Sequence, residues 1–123
     1  MEDCLCDVSV GDMFSVFWNA VSRSVHQNAV KHGFWDRGVH DDEVEKLMLM
    51  SSEIYEAFEA IRSGDSRKKS EKIPDFTKIE EELADTVIRI MDFAAAHNLD
   101  IANAILSKHE FNKSRPYLHG KKF

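Results

Sequence analysis

The chain has few residues that cross-link a fold or interrupt helices: its 123 residues include two cysteines, two prolines and five glycines. Both cysteines, Cys4 and Cys6, lie near the N-terminus, where a disulfide would close a loop too short to stabilise the fold much. We interpret them as free thiols, with a Cys-x-Cys metal-ligand pair as the alternative. We therefore do not expect a disulfide-stabilised scaffold.

Long apolar runs and an excess of basic residues are also missing. No run approaches the roughly 18 apolar residues that span a bilayer, and residues 1–10 lack the basic start and apolar stretch of a signal peptide. These features favour a cytoplasmic protein without a membrane partner. The net charge of −6 argues against nucleic-acid binding, which requires a cationic face. The absence of a GxxxxGK[ST] run excludes a P-loop nucleotidase.

The residues that are present predict helices and almost no strands. Apolar residues recur at helical spacing over about 12–32, 42–63, 77–97 and 100–111, and the polar run 63–76 is typical of a loop. Asp42 with Glu45 and Thr77 with Glu80 have capping-box spacing, and Asp100 can cap the last helix. We predict an all-α, four-helix bundle at 12–123, after a flexible segment at 1–11 and with a basic tail from about residue 108. A domain this short gains stability by self-association, so we also expect an oligomer.

Two pairs of acidic residues stand out in the predicted second and third helices. Glu53 and Glu56 are three residues apart, as are Glu82 and Asp85, so each pair shares one helix face. Like charges at this spacing repel, and a divalent cation would compensate them. Carboxylate oxygens suit Mg²⁺, with Mn²⁺ as a possible substitute. The alternative is a solvated acidic face without a bound ion.

The spacing and surroundings of these pairs resemble a known family. Glu53-Ile-Tyr-Glu56, 25 intervening residues and Glu82-Leu-Ala-Asp85 are similar to the ExxE…ExxD signature of the MazG-like, all-alpha NTP pyrophosphohydrolases. The segments HQNAVKHGFWD, SSEIYEAFEAIR, EEELADTVIRIMDFA and NKSRPYLHGKKF also resemble that family. The resemblance covers about residues 14–123.

The resemblance implies that a nucleoside or deoxynucleoside triphosphate is hydrolysed to a monophosphate and pyrophosphate, in cleaning or control of a nucleotide pool. All four carboxylates would coordinate Mg²⁺, and Glu53 or Glu56 would orient the attacking water. Relatives form dimers and tetramers, so we expect one of these assemblies. A catalytically silent helical module that binds nucleotide or a partner protein is the alternative function.

Several further residues are candidates for substrate binding, each with a simpler interpretation. In the tail they are Asn112, Lys113, Arg115, Tyr117, His119 and Lys121, which suit a triphosphate and a base unless the tail is only a disordered basic end. Asn28 and Trp35 resemble the family's nucleotide pocket, although Trp35 is equally suited to the core. Arg89 either contacts phosphate or pairs with Asp85 or Asp92. His40-Asp41 is a weak match to HD-type phosphohydrolases, whose other ligands are not evident.

Overall fold

The computed structural model describes residues 8–40 and 42–123, which form four α-helices and no regular strand. The helices are α1 (Val8–Lys31), α2 (Glu43–Arg62), α3 (Lys78–Ala96) and α4 (Ile101–Lys113), followed by a short 3₁₀ turn, Tyr117–Gly120. This confirms the predicted all-α class. Residues 8–11 belong to α1 rather than to the predicted N-terminal segment, and Cys4 and Cys6 lie outside the described residues.

The helix starts follow the predicted capping residues in two cases and differ in one. Thr77 accepts a hydrogen bond from the backbone N–H of Glu80, and the Glu80 side chain accepts one from the backbone N–H of Thr77, which is the predicted capping box. Asp100 caps α4 through the N–H of Asn103. At α2 the predicted capping box is absent. The Asp42 and Glu45 carboxylates both bind Arg37 instead, an ionic contact that the spacing did not reveal.

The third helix is the centre of the fold, since α1 and α2 both pack against it while α4 packs against α1. Helices α2 and α3 are antiparallel. Glu43 at the start of α2 contacts His97 after the end of α3, while Glu53, further along α2, contacts Arg89, about two turns before His97. The buried apolar residues of the described chain are Trp35, Ala57, Met91, Ala94 and Ala102. Ser22 of α1 donates a hydrogen bond of 2.6 Å to the backbone carbonyl of Met91, which fixes α1 on α3.

Much of the apolar surface is not covered within one chain. On α1, Phe17 is 66% exposed, and on α3 Leu83 and Val87 are also exposed. Exposed large apolar residues also run along α2, where they are Val44, Leu47, Met48, Ile54, Tyr55, Phe58 and Ile61. Exposed apolar residues grouped along helix faces in this way are typical of surfaces that bind another protein. Despite its apolar faces, none of the described helices is both long and apolar enough to cross a membrane.

The loop between α2 and α3 is fixed by the buried residue Ser70. Its hydroxyl donates a hydrogen bond to the Glu81 carboxylate, and its backbone N–H binds the carbonyl of Phe76 at 2.8 Å. The loop therefore folds back on the first turn of α3. Lys72 is held there with its Nζ 3.1 Å from Glu81, beside the predicted carboxylate pair of α3.

Candidate functional site

Three carboxylates from two helices converge on one point. Glu82 and Asp85, three residues apart on α3, face Glu53 of α2, and one oxygen of each lies within 4.8 Å of the others. All three side chains are partly buried. Glu56, one turn beyond Glu53, lines the same cavity without joining this close group. The antiparallel packing of α2 on α3 thus brings together the two acidic pairs that the sequence singled out.

The carboxylate group carries unfavourable electrostatic energy. Burial raises the pKa of Glu82 above its ordinary value, and the nearby charges of Glu81, Asp85 and Glu53 raise it further. Burial also raises the pKa of Asp85, followed by the charge of Glu53. Burial and like charges both favour the protonated form of a carboxyl group. A bound cation would relieve both effects.

Arg89 provides the direct positive partner of this group. Its Nε donates a hydrogen bond of 2.5 Å to Oε1 of Glu53. The sequence suggested Asp85 or Asp92 as its partner, because both lie near it on α3. The observed partner comes from α2, since antiparallel packing sets Arg89 opposite Glu53. The ion pair orients Glu53 toward the other two carboxylates.

A cavity of about 750 Å³ extends from the carboxylates. The lining residues comprise the acidic residues Glu53, Glu56, Glu82, Asp85 and Asp92; the basic residues Lys46, Lys72 and Arg89; and Ser24, Val25, Asn28, Ala29, Phe34, Trp35, Ile88 and Phe93. One end holds the close carboxylates, and the other is the aromatic end, where Asp92 and Lys46 lie beside Trp35. This size and distribution suit a ligand with an apolar ring and a charged part.

A hydrogen-bonded group fixes the aromatic end. Trp35 is only 8% exposed, and its Nε1 donates to both carboxylate oxygens of Asp92, at 2.9 and 3.1 Å. The Nδ1 of His26 donates to the same Asp92 at 2.7 Å. Asp92 is thus engaged by α1 and by the loop after it, so its role is to orient Trp35 and His26.

Lys46 and Lys72 line the cavity, and the sequence analysis did not select either of them. Lys46 is buried, donates to the backbone carbonyl of Phe34, and lies 4.5 Å from the centre of the Trp35 ring. Its position seven residues before Glu53, two turns along the same face, was a usable signal. Lys72 belongs to a charged loop without periodicity. The pKa of Lys72 is raised by its hydrogen bond and charge interaction with Glu81.

The predicted substrate residues divide into two groups. Asn28, Trp35 and Arg89 line the cavity. The six tail candidates are absent from its lining within the described chain, and these are Asn112, Lys113, Arg115, Tyr117, His119 and Lys121. Tyr117 is 90% exposed in the turn after α4. The tail follows α4, which packs mainly on α1, and the tail candidates stay outside the cavity of their own chain.

The remaining candidate motif is the His40-Asp41 dipeptide. For the HD-type alternative, Asp41 lies outside the described residues, and His40 contacts Glu43 rather than the carboxylate group.

The candidate site consists of three close carboxylates, an adjacent fourth, two lysines, one arginine and an aromatic wall. Comparison with protein-family models, with curated proteins and with solved structures found no match to the chain.

Proposed function

We propose that the protein is a Mg²⁺-dependent nucleoside triphosphate pyrophosphohydrolase that converts a (d)NTP to a (d)NMP and pyrophosphate. One observation carries the proposal: oxygen atoms of Glu53, Glu82 and Asp85 lie within 4.8 Å of one another at the acidic end of a cavity with an aromatic wall. The similarity of Glu53–Glu56 and Glu82–Asp85 to the MazG-like ExxE…ExxD signature supports the same reaction. We infer that it acts in nucleotide-pool cleaning or control in the cytoplasm.

The donor set fits magnesium. Its ligands would be Glu53, Glu56, Glu82 and Asp85, which offer only hard oxygen atoms, and Mg²⁺ is usually held by a few carboxylates together with substrate phosphates and water. Mn²⁺ has similar preferences and would substitute. The ion would neutralise polyphosphate charge and lower the pKa of a bound water.

The side chains around the carboxylates have separate roles in the proposal. Glu53 or Glu56 accepts a proton from the attacking water as it approaches the α-phosphorus, with Arg89 holding Glu53 in position. Lys72, on the loop beside Glu81, supplies positive charge near the phosphates. Trp35 offers its ring to the base, since the Asp92 hydrogen bonds fix its orientation. Hydrolysis between the α and β phosphates then releases pyrophosphate.

Self-association is part of the proposal. The exposed apolar residues of α1 and α2, such as Phe17, Phe58 and Ile61, give a surface that a second copy would cover. The basic tail does not line the cavity of its own chain, and a dimer or tetramer would allow Lys113 and Arg115 to reach the cavity of a neighbouring subunit. Analytical ultracentrifugation measures the assembly directly, and a monomer at micromolar concentration would remove this part of the proposal.

The reaction is tested by incubating the protein with each triphosphate and Mg²⁺ and identifying the products by ³¹P NMR. We expect monophosphate and pyrophosphate, and a loss of at least about a hundredfold in Glu53→Gln and Glu82→Gln, because each removes a ligand of the cation. Glu45→Gln is the matched control, since Glu45 lies on α2 and binds Arg37 outside the cavity. Orthophosphate as the product would contradict the reaction, and no turnover with any triphosphate would favour the silent binding module.

A further inference from the structure

A second group of potential metal ligands lies at the other end of the α2–α3 pair. His40 of the loop before α2, Glu43 in the first turn of α2 and His97 at the C-terminal end of α3 each offer one ligand atom, and these atoms lie within 4.8 Å of one another. We propose that His40, Glu43 and His97 form a binding site for a zinc-type transition-metal ion. The site is separate from the carboxylates, and it does not depend on the proposed hydrolase activity.

The distances in this group fit a shared cation better than direct hydrogen bonds. Oε1 of Glu43 lies 3.4 Å from Nδ1 of His40 and 3.4 Å from Nδ1 of His97. A charge-assisted hydrogen bond between these groups would be about 2.7–2.9 Å long. Ligand atoms around a tetrahedral zinc ion, with bonds of about 2.0–2.1 Å, are about 3.3–3.4 Å apart. Two of the three ligand–ligand separations therefore match the edge of such a tetrahedron.

The group combines one buried, closely packed ligand with one exposed ligand. The His97 side chain is only 8% exposed, and its ring packs against Phe93, with ring centres 4.3 Å apart, and against Trp35, at 6.0 Å. The His40 side chain is 87% exposed. Packing thus orients His97 before an ion binds, while His40 can adjust to the ion. The exposed side leaves room for water at a fourth position, as in three-ligand zinc sites.

The ligand types predict selectivity between the two sites. Two imidazoles and one carboxylate suit zinc and its neighbours among the divalent transition metals, whereas carboxylates alone suit magnesium and manganese. Glu53, Glu82 and Asp85 offer no nitrogen ligand. Excess Mg²⁺ should therefore occupy the carboxylates and leave the His40, Glu43 and His97 site available to Zn²⁺.

An ion at this site would connect the loop before α2 to the end of α3. His97 contacts Trp35, and Trp35 forms part of the cavity wall. Fixing His97 to Glu43 and His40 would limit the opening of the loop that carries Trp35. Zinc binding would thus stabilise the aromatic end of the cavity without contacting the acidic end.

The experiment uses the full chain without a histidine tag, stripped of metal by a chelator and dialysed into excess Mg²⁺. Zn²⁺ binding is then measured by equilibrium dialysis with metal analysis, and Co²⁺ is used as a spectroscopic probe of tetrahedral geometry. We expect one equivalent of Zn²⁺ per chain and a visible Co²⁺ band. His40→Ala and Glu43→Gln should each weaken binding by at least roughly tenfold, since even loss of a residue supporting a ligand costs about 10–100-fold.

Controls separate this site from adventitious binding and from the carboxylates. His109→Ala removes an exposed histidine of α4 and should leave Zn²⁺ affinity unchanged. Because His40 is exposed, His40→Ala should fold normally, which circular dichroism verifies. Wild-type affinity in His40→Ala would overturn the proposal. Loss of the Zn²⁺ equivalent in Glu82→Gln but not in Glu43→Gln would also overturn it, because the ion would then lie at the carboxylates.

Discussion

Replacing Asp85 by asparagine should stabilise the metal-free protein while removing most of its response to Mg²⁺. Asp85 lies within 4.8 Å of Glu53 and Glu82, and its pKa is raised first by burial and next by the Glu53 charge. Two full charges at this separation repel by about 1 kcal/mol in water and by about 3–4 kcal/mol at an effective dielectric constant near 20. The amide keeps the shape of the side chain and removes the charge.

The net gain is smaller than the sum of two such repulsions. Lys72 and Arg89 oppose the effect of the carboxylates on Asp85, and the partly exposed site is screened by water and salt. We therefore expect Asp85→Asn to add about 1–2 kcal/mol to the free energy of unfolding without metal. In a domain of this size, this raises Tm by roughly 4–8 °C.

Thermal unfolding followed by circular dichroism, in EDTA and in excess Mg²⁺, tests this expectation. Mg²⁺ at a hundred times its dissociation constant would stabilise the wild type by about 2.7 kcal/mol, and the variant should lose most of that gain. Asp75→Asn, an exposed change in the loop between α2 and α3, should alter neither measurement. A lower Tm for Asp85→Asn in EDTA, or an undiminished Mg²⁺ response, would refute the reasoning.

Three further predictions concern the same structure. The pKa of Glu82 is raised in the folded state, so above pH 4.5, its ordinary pKa, the folded protein holds more protons than the unfolded protein. The free energy of unfolding in EDTA should therefore fall as the pH rises from 4.5 to the raised pKa. Urea titrations at several pH values should show a smaller fall in Glu82→Gln. Trp35→Phe leaves Asp92 without the indole donor, so we expect a loss of about 1–3 kcal/mol in urea unfolding followed by circular dichroism; an unchanged midpoint would mean that the hydrogen bond contributes nothing. Thr77→Ala removes the capping box with Glu80 and should cost about 1 kcal/mol while turnover stays at the wild-type level, and reduced turnover with intact folding would contradict a purely structural role.

Local sequence signals predicted the helices well because helix capping depends on residues that are close together in the sequence. Thr77 and Asp100 lie at helix starts and accept the expected backbone hydrogen bonds, so their positions were readable from spacing alone. The α2 start differed because Arg37, five residues upstream of Asp42 in the sequence, takes its carboxylate. Such a contact depends on how the loop folds back, which periodicity does not encode.

The site was predictable as far as it follows helix faces. Spacing put Glu82 and Asp85 on one face, but only the packing of α2 on α3 determines that Glu53 meets them and that Arg89 binds Glu53. Lys72 comes from a loop, and its position depends on buried Ser70, so no pattern predicted it. The apolar stripe of α1 was also visible in the sequence. Periodicity does not tell which part of that stripe faces its own chain and which part stays exposed, as Phe17 does.

We expect the four carboxylates to hold a divalent cation against a triphosphate, and a crystal structure would show directly whether they do. The protein would be crystallised with Mn²⁺ and a triphosphate analogue whose α–β bridge resists hydrolysis, and the anomalous signal of Mn²⁺ would locate the ion. We predict Mn²⁺ coordinated by Glu53, Glu82 and Asp85, with Glu56 at the same ion or a second one, and the base against Trp35. Mn²⁺ located elsewhere, or an analogue bound away from these carboxylates, would rule out the proposed metal and substrate site.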